Sequence, residues 1–128
     1  MSVQLNHTIV HVKDKAASAR FRTELLDLPA AKPFGPFHVV EMENGVSLDF
    51  MENPGPIGMQ HYAFLVTEDV FDKAFDRLRE RGLAYWADPH KHHPGEINRN
   101  DGGRGVYFHE PGGHYLELLT VPYGGWKQ

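Results

Sequence analysis

Cysteine is absent from the 128 residues, which excludes a disulfide framework, a thiolate nucleophile and any zinc site built on sulfur. A metal, if one is held, must be bound through nitrogen and oxygen. No apolar run approaches the ~20 residues that a membrane span requires. The stretch 1–15 alternates apolar and polar residues where a secretion signal has an unbroken apolar segment, so a cytoplasmic protein with no membrane partner is expected. An excess of basic residues is lacking as well. Thirteen Lys and Arg against 17 Asp and Glu give a net charge of −4, which offers no electrostatic footprint for nucleic acid and points to a small-molecule partner. What is present is a length suited to one domain, 1–128, with its own core. Nine histidines stand in the chain, but three crowd into His90-Lys91-His92-His93, which reads as a solvated loop, so position and not number must select the functional ones.

Hydrophobic periodicity organises the chain. Leu5 to Val12 alternates as a strand does, and Asp14 opens a helical stretch whose Ala17, Phe21, Leu25 and Leu28 form one apolar stripe that Pro29 ends. Ala31 to Pro36 is a candidate short edge strand. Phe37 to Met42 and Val46 to Met51 flank Asn44-Gly45 as a hairpin. After the linker 54–58, rich in proline and glycine, the order recurs. Met59 to Val66 is a strand, and Asp69 is the expected cap of a helix carrying Phe71, Ala74, Phe75 and Leu78, ending at Gly82. Leu83 to Ala87 is a strand, a polar loop runs from Asp88 to Gly103, and Gly105 to His109 pairs with His114 to Thr120 around Pro111-Gly112-Gly113.

The two halves are in register. One offset of 54 residues superimposes His7 on His61, Val12 on Val66 and Phe21 on Phe75, and Gly45 to Phe50 aligns with Gly113 to Leu118 at an offset of 68. The added 14 residues fall in the loop before Gly105. An α+β fold of two βαβββ modules, 1–53 and 59–121, followed by a tail at 122–128, is therefore predicted.

Matching modules commonly pack about a pseudo-two-fold axis, which brings equivalent strands face to face. By the two-residue period of a strand, Leu5, His7, Ile9 and His11 share one face while Val10 and Val12 turn to the helix. The same period aligns His61 with Ala63 and Leu65, and Glu117 with Tyr115 and Leu119. His7, His61 and Glu117, with Asp49 in the place that matches Glu117, are thus candidate ligands for one divalent ion, Fe(II), Mn(II), Zn(II), Ni(II) or Co(II). The competing reading makes the two imidazoles core histidines, one of them bonded to Glu117.

Leu5-Asn6-His7, Gln60-His61 and the run from Tyr107 to Glu117 carry a resemblance to the vicinal-oxygen-chelate superfamily of glyoxalase, bleomycin-resistance, fosfomycin-resistance and extradiol dioxygenase proteins. The resemblance spans Leu5 to Val121. It implies a cupped, partly open barrel-like sheet with helices outside, frequent dimerisation, and metal ligation by His7, His61 and Glu117. It also implies chelation of two adjacent oxygens of a small oxygenated metabolite by a lyase, isomerase or dioxygenase. The alternative is a metal-free protein that binds a small molecule or antibiotic, as bleomycin-resistance proteins do.

The residues adjust that picture. Asp49 is a methylene shorter than the glutamate usual at its position, which suggests a base or water-mediated role, or an acceptor for an imidazole N–H. Tyr107 falls on the Glu117 face, where its hydroxyl is a candidate catalytic group. Extradiol enzymes carry an acid/base histidine near Asn98-Arg99-Asn100, and none stands there. His11, Tyr115 and Arg104 are candidate substrate contacts, the last as a clamp for carboxylate or phosphate. The tail, with Tyr123 and Trp126, is a candidate cover for the cavity mouth or a dimer partner.

Overall fold

Residues 2–125 are described by the structure, a computed structural model; Trp126 lies outside them. The chain divides into two units, Met1–Gly58 and Met59–Gln128.

In the first unit, β1 (His7–Val12) leads into α1 (Lys15–Leu26), followed by β2 (Lys32–Phe34), β3 (Phe37–Glu41) and β4 (Ser47–Glu52). Asp14 caps α1, its Oδ1 accepting from the Ala17 N–H at 3.0 Å. The helix stops two residues short of the expected Leu28, because Asp27 takes a left-handed φ of 54° and the Leu28 N–H turns back to the Thr23 carbonyl at 3.0 Å. This backbone closure, not Pro29, ends the helix. Leu28 and Ala17 are accordingly only half-buried, and the inward face consists of Ala19, Phe21, Leu25, Leu26 and, unexpectedly, Arg22. The Arg22 guanidinium is fully buried and lies 5.1 Å from the centroid of Phe50.

The sheet order is β1-β4-β3-β2, with β1 parallel to β4 and the other pairs antiparallel. The expected edge strand is thus present, trimmed to three residues. Gly45 makes the β3–β4 turn with a φ of 86° that L side chains avoid, and the Asn44 Oδ1 accepts from the Val46 N–H. The core side of the sheet carries Val10, Val12, Val40, Leu48 and Phe50, all buried. His7, Ile9 and His11 on the other side are exposed.

The second unit repeats the plan. It contains β5 (His61–Leu65), α2 (Glu68–Glu80), β6 (Tyr85–Trp86), β7 (Gly105–His109) and β8 (Tyr115–Leu119), in the order β5-β8-β7-β6. The helix cap is Thr67 and not Asp69: the Thr67 hydroxyl accepts from the Val70 N–H, and Glu68 and Asp69 occupy the first turn, where the helix dipole favours negative charge. Phe71, Ala74 and Leu78 are buried as the spacing requires, and Gly82 follows the end of the helix. The strand expected over 83–87 shortens to two residues because the chain after Trp86 doubles back. The Ala87 N–H donates to the His93 carbonyl and the Gly95 N–H to the Tyr85 carbonyl.

The loop over 88–103 is pinned at both ends. The Asp88 carboxylate accepts from the N–H groups of His92 and His93, and Asn98 exchanges backbone hydrogen bonds with Gly105. Each unit is thus a βαβββ module with one helix on an open four-stranded sheet, and the fold is α+β. Among the described residues no helix is long and apolar enough to cross a membrane.

Candidate functional site

Parallel pairing places the chemistry-bearing residues identically in the two modules. In the first, His7 lies beside Ser47 and Ile9 beside Asp49; in the second, His61 lies beside Tyr115 and Ala63 beside Glu117. The carboxylate therefore stands in each case one pleat beyond its histidine, on the same face. The repeat read from the sequence is a repeat of strand register.

The second module brings its pair together. His61 Nε2 is 3.1 Å from Glu117 Oε1, and His61 Nδ1 is 3.0 Å from the Tyr115 carbonyl oxygen. A carbonyl can only accept, so Nδ1 carries the proton, and in a neutral imidazole Nε2 then presents a bare lone pair. That lone pair faces a carboxylate oxygen, an arrangement that requires a proton on one of the two groups or a cation between them. Glu117 is only 3% exposed, and a buried carboxylate is costly unless positive charge or donors compensate it.

Two tyrosines add donors. The Tyr123 hydroxyl donates to Glu117 Oε1 at 2.9 Å, and Tyr107, opposite Glu117 in the β7–β8 ladder, is held protonated. Burial pushes the Tyr107 hydroxyl well above its usual pKa, and the Glu117 charge and hydrogen bond push it further. Tyr123 moves the same way, through burial and its bond to Glu117.

The first module has looser geometry. His7 Nδ1 is 2.6 Å from the Asn6 side-chain oxygen, so that, as in His61, an oxygen acceptor occupies Nδ1. Asp49 is half-buried and its Oδ1 accepts from the Ser47 hydroxyl at 3.1 Å. His11 is exposed on the His7 face. Among the described residues no three His, Asp or Glu side chains gather closely enough to hold an ion; each module carries one histidine and one carboxylate on the same face of its own sheet.

The expected substrate contacts separate. Tyr115 is on the His61 face, its ring 5.8 Å from the imidazole, and its hydroxyl is kept protonated by burial and by the charges of Asp88 and Glu117. Arg104 is turned toward α2 instead. Its Nε donates to Glu68 Oε1 and its Nη2 to Asp72 Oδ1, each at 2.7 Å, while the guanidinium covers the Phe71 ring at 4.4 Å. Burial opposes the Arg104 charge, yet the two carboxylates prevail and raise its pKa. Fork geometry of this kind ties helix to sheet, and in this structure it engages the guanidinium expected to meet substrate.

Sequence reasoning missed a cluster on β6 and the loop. The rings of His61, Tyr107, Tyr115, His109 and Trp86 follow one another across the sheet at centroid spacings of 6.0, 5.8, 4.7 and 6.0 Å, and Lys91 closes the far end. Alternation along β7 and β8 could have aligned the aromatic residues; nothing in the sequence marks Lys91.

Imidazoles with Nδ1 occupied by an oxygen acceptor, which leaves Nε2 as the ligating nitrogen, together with a buried carboxylate, have the donor chemistry of a divalent-metal site. Fold and donor set thus define the glyoxalase-type class of paired βαβββ modules. The chain belongs to the Glyoxalase/Bleomycin resistance protein/Dioxygenase superfamily, whose family model matches residues 4–118. It is similar to the solved structure Oxidase ChaP-H1, at 63% identity and a TM-score of 0.94 over 97% of this chain and 100% of that one. Oxidase ChaP-H2 matches at 61% identity and a TM-score of 0.95, over 98% and 99% of the two chains. Glutathione transferase FosA of Serratia marcescens is 30% identical over 124 residues, 92% of this chain and 81% of that protein.

Proposed function

We propose that the chain is a metal-dependent enzyme acting on a small oxygenated metabolite, with one divalent ion held by His7, His61 and Glu117. The observation that carries this reading is His61 Nε2 facing the buried Glu117 carboxylate at 3.1 Å, with Nδ1 turned to a carbonyl oxygen. Two imidazoles and one carboxylate suit Fe(II), Mn(II), Zn(II), Ni(II) or Co(II) and leave coordination positions open. The ion, when bound, supplies Lewis-acid stabilisation of negative charge on two adjacent substrate oxygens.

The chain's own groups then divide the work. Tyr107, kept neutral, offers a proton or hydrogen bond to a substrate oxygen. Asp49, with Oδ1 engaged by Ser47, has Oδ2 as the base that takes a substrate proton. Tyr115 and His11 contact substrate. Among lyase, isomerase and dioxygenase chemistries, identity above 60% to two proteins named oxidases supports an oxidoreductase. The proposal includes a cytoplasmic location, both modules acting as one domain, and a homodimer; Leu5, Ile9 and Leu65, at 68, 42 and 59% exposure, are apolar side chains at or beside the histidine-bearing strands that a second copy would cover.

Metal analysis after purification without chelator tests the reading. The expected result is about one ion per chain, lost in His61→Ala and Glu117→Gln. A wild type that neither retains nor takes up metal, yet binds organic ligands, would instead establish the metal-free binding protein.

A further inference from the structure

Across the His61 face of the second module, the ring series ends at a cation. Lys91 Nζ stands 4.7 Å from the Trp86 ring centroid and 5.5 Å from that of Tyr115, and 2.8 Å from His109 Nε2. We infer that Lys91, framed by Trp86, His109 and Tyr115, is a subsite for a carboxylate carried by the substrate. The inference deepens the proposed function and rests on its reading that substrate binds on this face.

The lysine is placed, not merely present. Its φ of 63° lies in the left-handed region that non-glycine residues enter at a cost. The surrounding contacts hold it there: its N–H donates to the Asp88 carbonyl, and the Asp88 carboxylate accepts from the next two N–H groups, of His92 and His93. The result turns a long side chain from an exposed loop back over the sheet.

Its partners leave its charge available. Two are ring faces, which attract a cation without neutralising it. The third is a neutral imidazole: His109 Nδ1 is 3.2 Å from the Gly113 carbonyl oxygen, so Nδ1 donates and Nε2 accepts from Lys91. An ammonium has three donors, and this contact uses one. The Tyr115 hydroxyl is the second polar group of the cluster. It is buried and has no hydrogen-bond partner among the described residues.

The location links the subsite to the proposed metal. The Tyr115 ring neighbours His61 at 5.8 Å and Lys91 at 5.5 Å, so one ring separates the ammonium from the imidazole. A molecule that chelates through two adjacent oxygens and bears a carboxylate about one ring's breadth away would engage both.

The test uses Trp86 as a local reporter in a Trp126→Phe background, since the chain has two tryptophans. Quenching by 3,4-dihydroxybenzoate and by 3,4-dihydroxybenzamide is titrated with metal-loaded and metal-free protein. The carboxylate is expected to bind about tenfold more tightly than the amide, the size of one charge-assisted hydrogen bond. Lys91→Gln should reduce the difference to less than about twofold while amide affinity and metal content stay at wild-type values, and Lys91→Arg should restore most of it. Equal binding of the two probes, absence of carboxylate binding, or a preference that survives Lys91→Gln would overturn the inference. Metal uptake with no carboxylate preference would refute the subsite alone; a preference in protein that takes up no metal would refute the metal reading alone.

Discussion

The hydroxyl of Tyr123 donates to Glu117 Oε1 at 2.9 Å, so a residue of the tail fixes the carboxylate that also faces His61. Groups that orient a metal ligand are commonly worth about 10–100-fold in affinity. Tyr123→Phe is therefore expected to weaken metal binding by about tenfold, read by competition with a calibrated chelator. The residue is partly exposed, so its loss should leave the melting temperature of the metal-free protein nearly unchanged. An unaltered affinity would remove Tyr123 from the site.

Metal removal should be visible in stability. A ligand that binds only the folded state stabilises it by mass action. Chelator is expected to lower the melting temperature of the wild type and to leave that of His61→Ala unmoved. Equal responses in the two proteins would count against ligation by His61.

The Arg104 tie predicts a pH effect. The Thr120 hydroxyl first, and Arg104 next, hold Glu68 below its ordinary pKa of 4.5. A carboxyl depressed in the folded state contributes stability above its unfolded pKa and loses it as pH falls through the folded value. Melting temperature measured downward from pH 5 should therefore fall less steeply in Glu68→Gln than in the wild type. Parallel curves would show that the bond adds nothing. Because Arg104 is turned to α2, Arg104→Lys should leave substrate KM unchanged.

In the core, Phe71 is fully buried between α2 and its sheet, below the Arg104 guanidinium. Phe71→Ala is expected to cost about 3–5 kcal/mol, measured by urea denaturation. A loss below about 1 kcal/mol would mean that the site collapses around the deletion.

The loop anchor gives a prediction without a stability measurement. A Cβ on Gly105 would lie 2.8 Å from the Asn98 side chain, which itself donates to the Ala87 carbonyl. Gly105→Ala should displace Asn98 and raise the rate of proteolytic cleavage within 88–103. Unchanged cleavage would show that Asn98 yields without releasing the loop.

What the sequence revealed is what repeats or alternates. His7 and His61 share one offset, and the period of two put each on the face opposite its own sheet's buried residues, Val10 and Phe50 in the first and Leu116 and Leu118 in the second; the βαβββ order followed from the same regularity. Positions decided by single contacts were illegible. Thr67 and Asp69 are both good caps by type, and only the entry of the chain into α2 selects Thr67. Arg22 is typed as a surface residue and is nevertheless buried, its guanidinium over the Phe50 ring. Arg104 has the chemistry of a substrate clamp, but Glu68 and Asp72, more than 30 residues earlier, claim it. Lys91 required a left-handed backbone that no lysine advertises, and Tyr123 a tail that returns to Glu117.

The parallel pairing of β1 with β4 and of β5 with β8 also governs the order of assembly. Each sheet seats its first strand only when its last has been made, so neither can zip up hairpin by hairpin from its beginning, and loop closure enters the rate. The first ladder has all its partners once Glu52 has left the ribosome, before His61 has emerged from it. A growing chain can thus settle one histidine strand before its counterpart has emerged, and the repeat allows the two halves to be built in succession without competing for each other's edges.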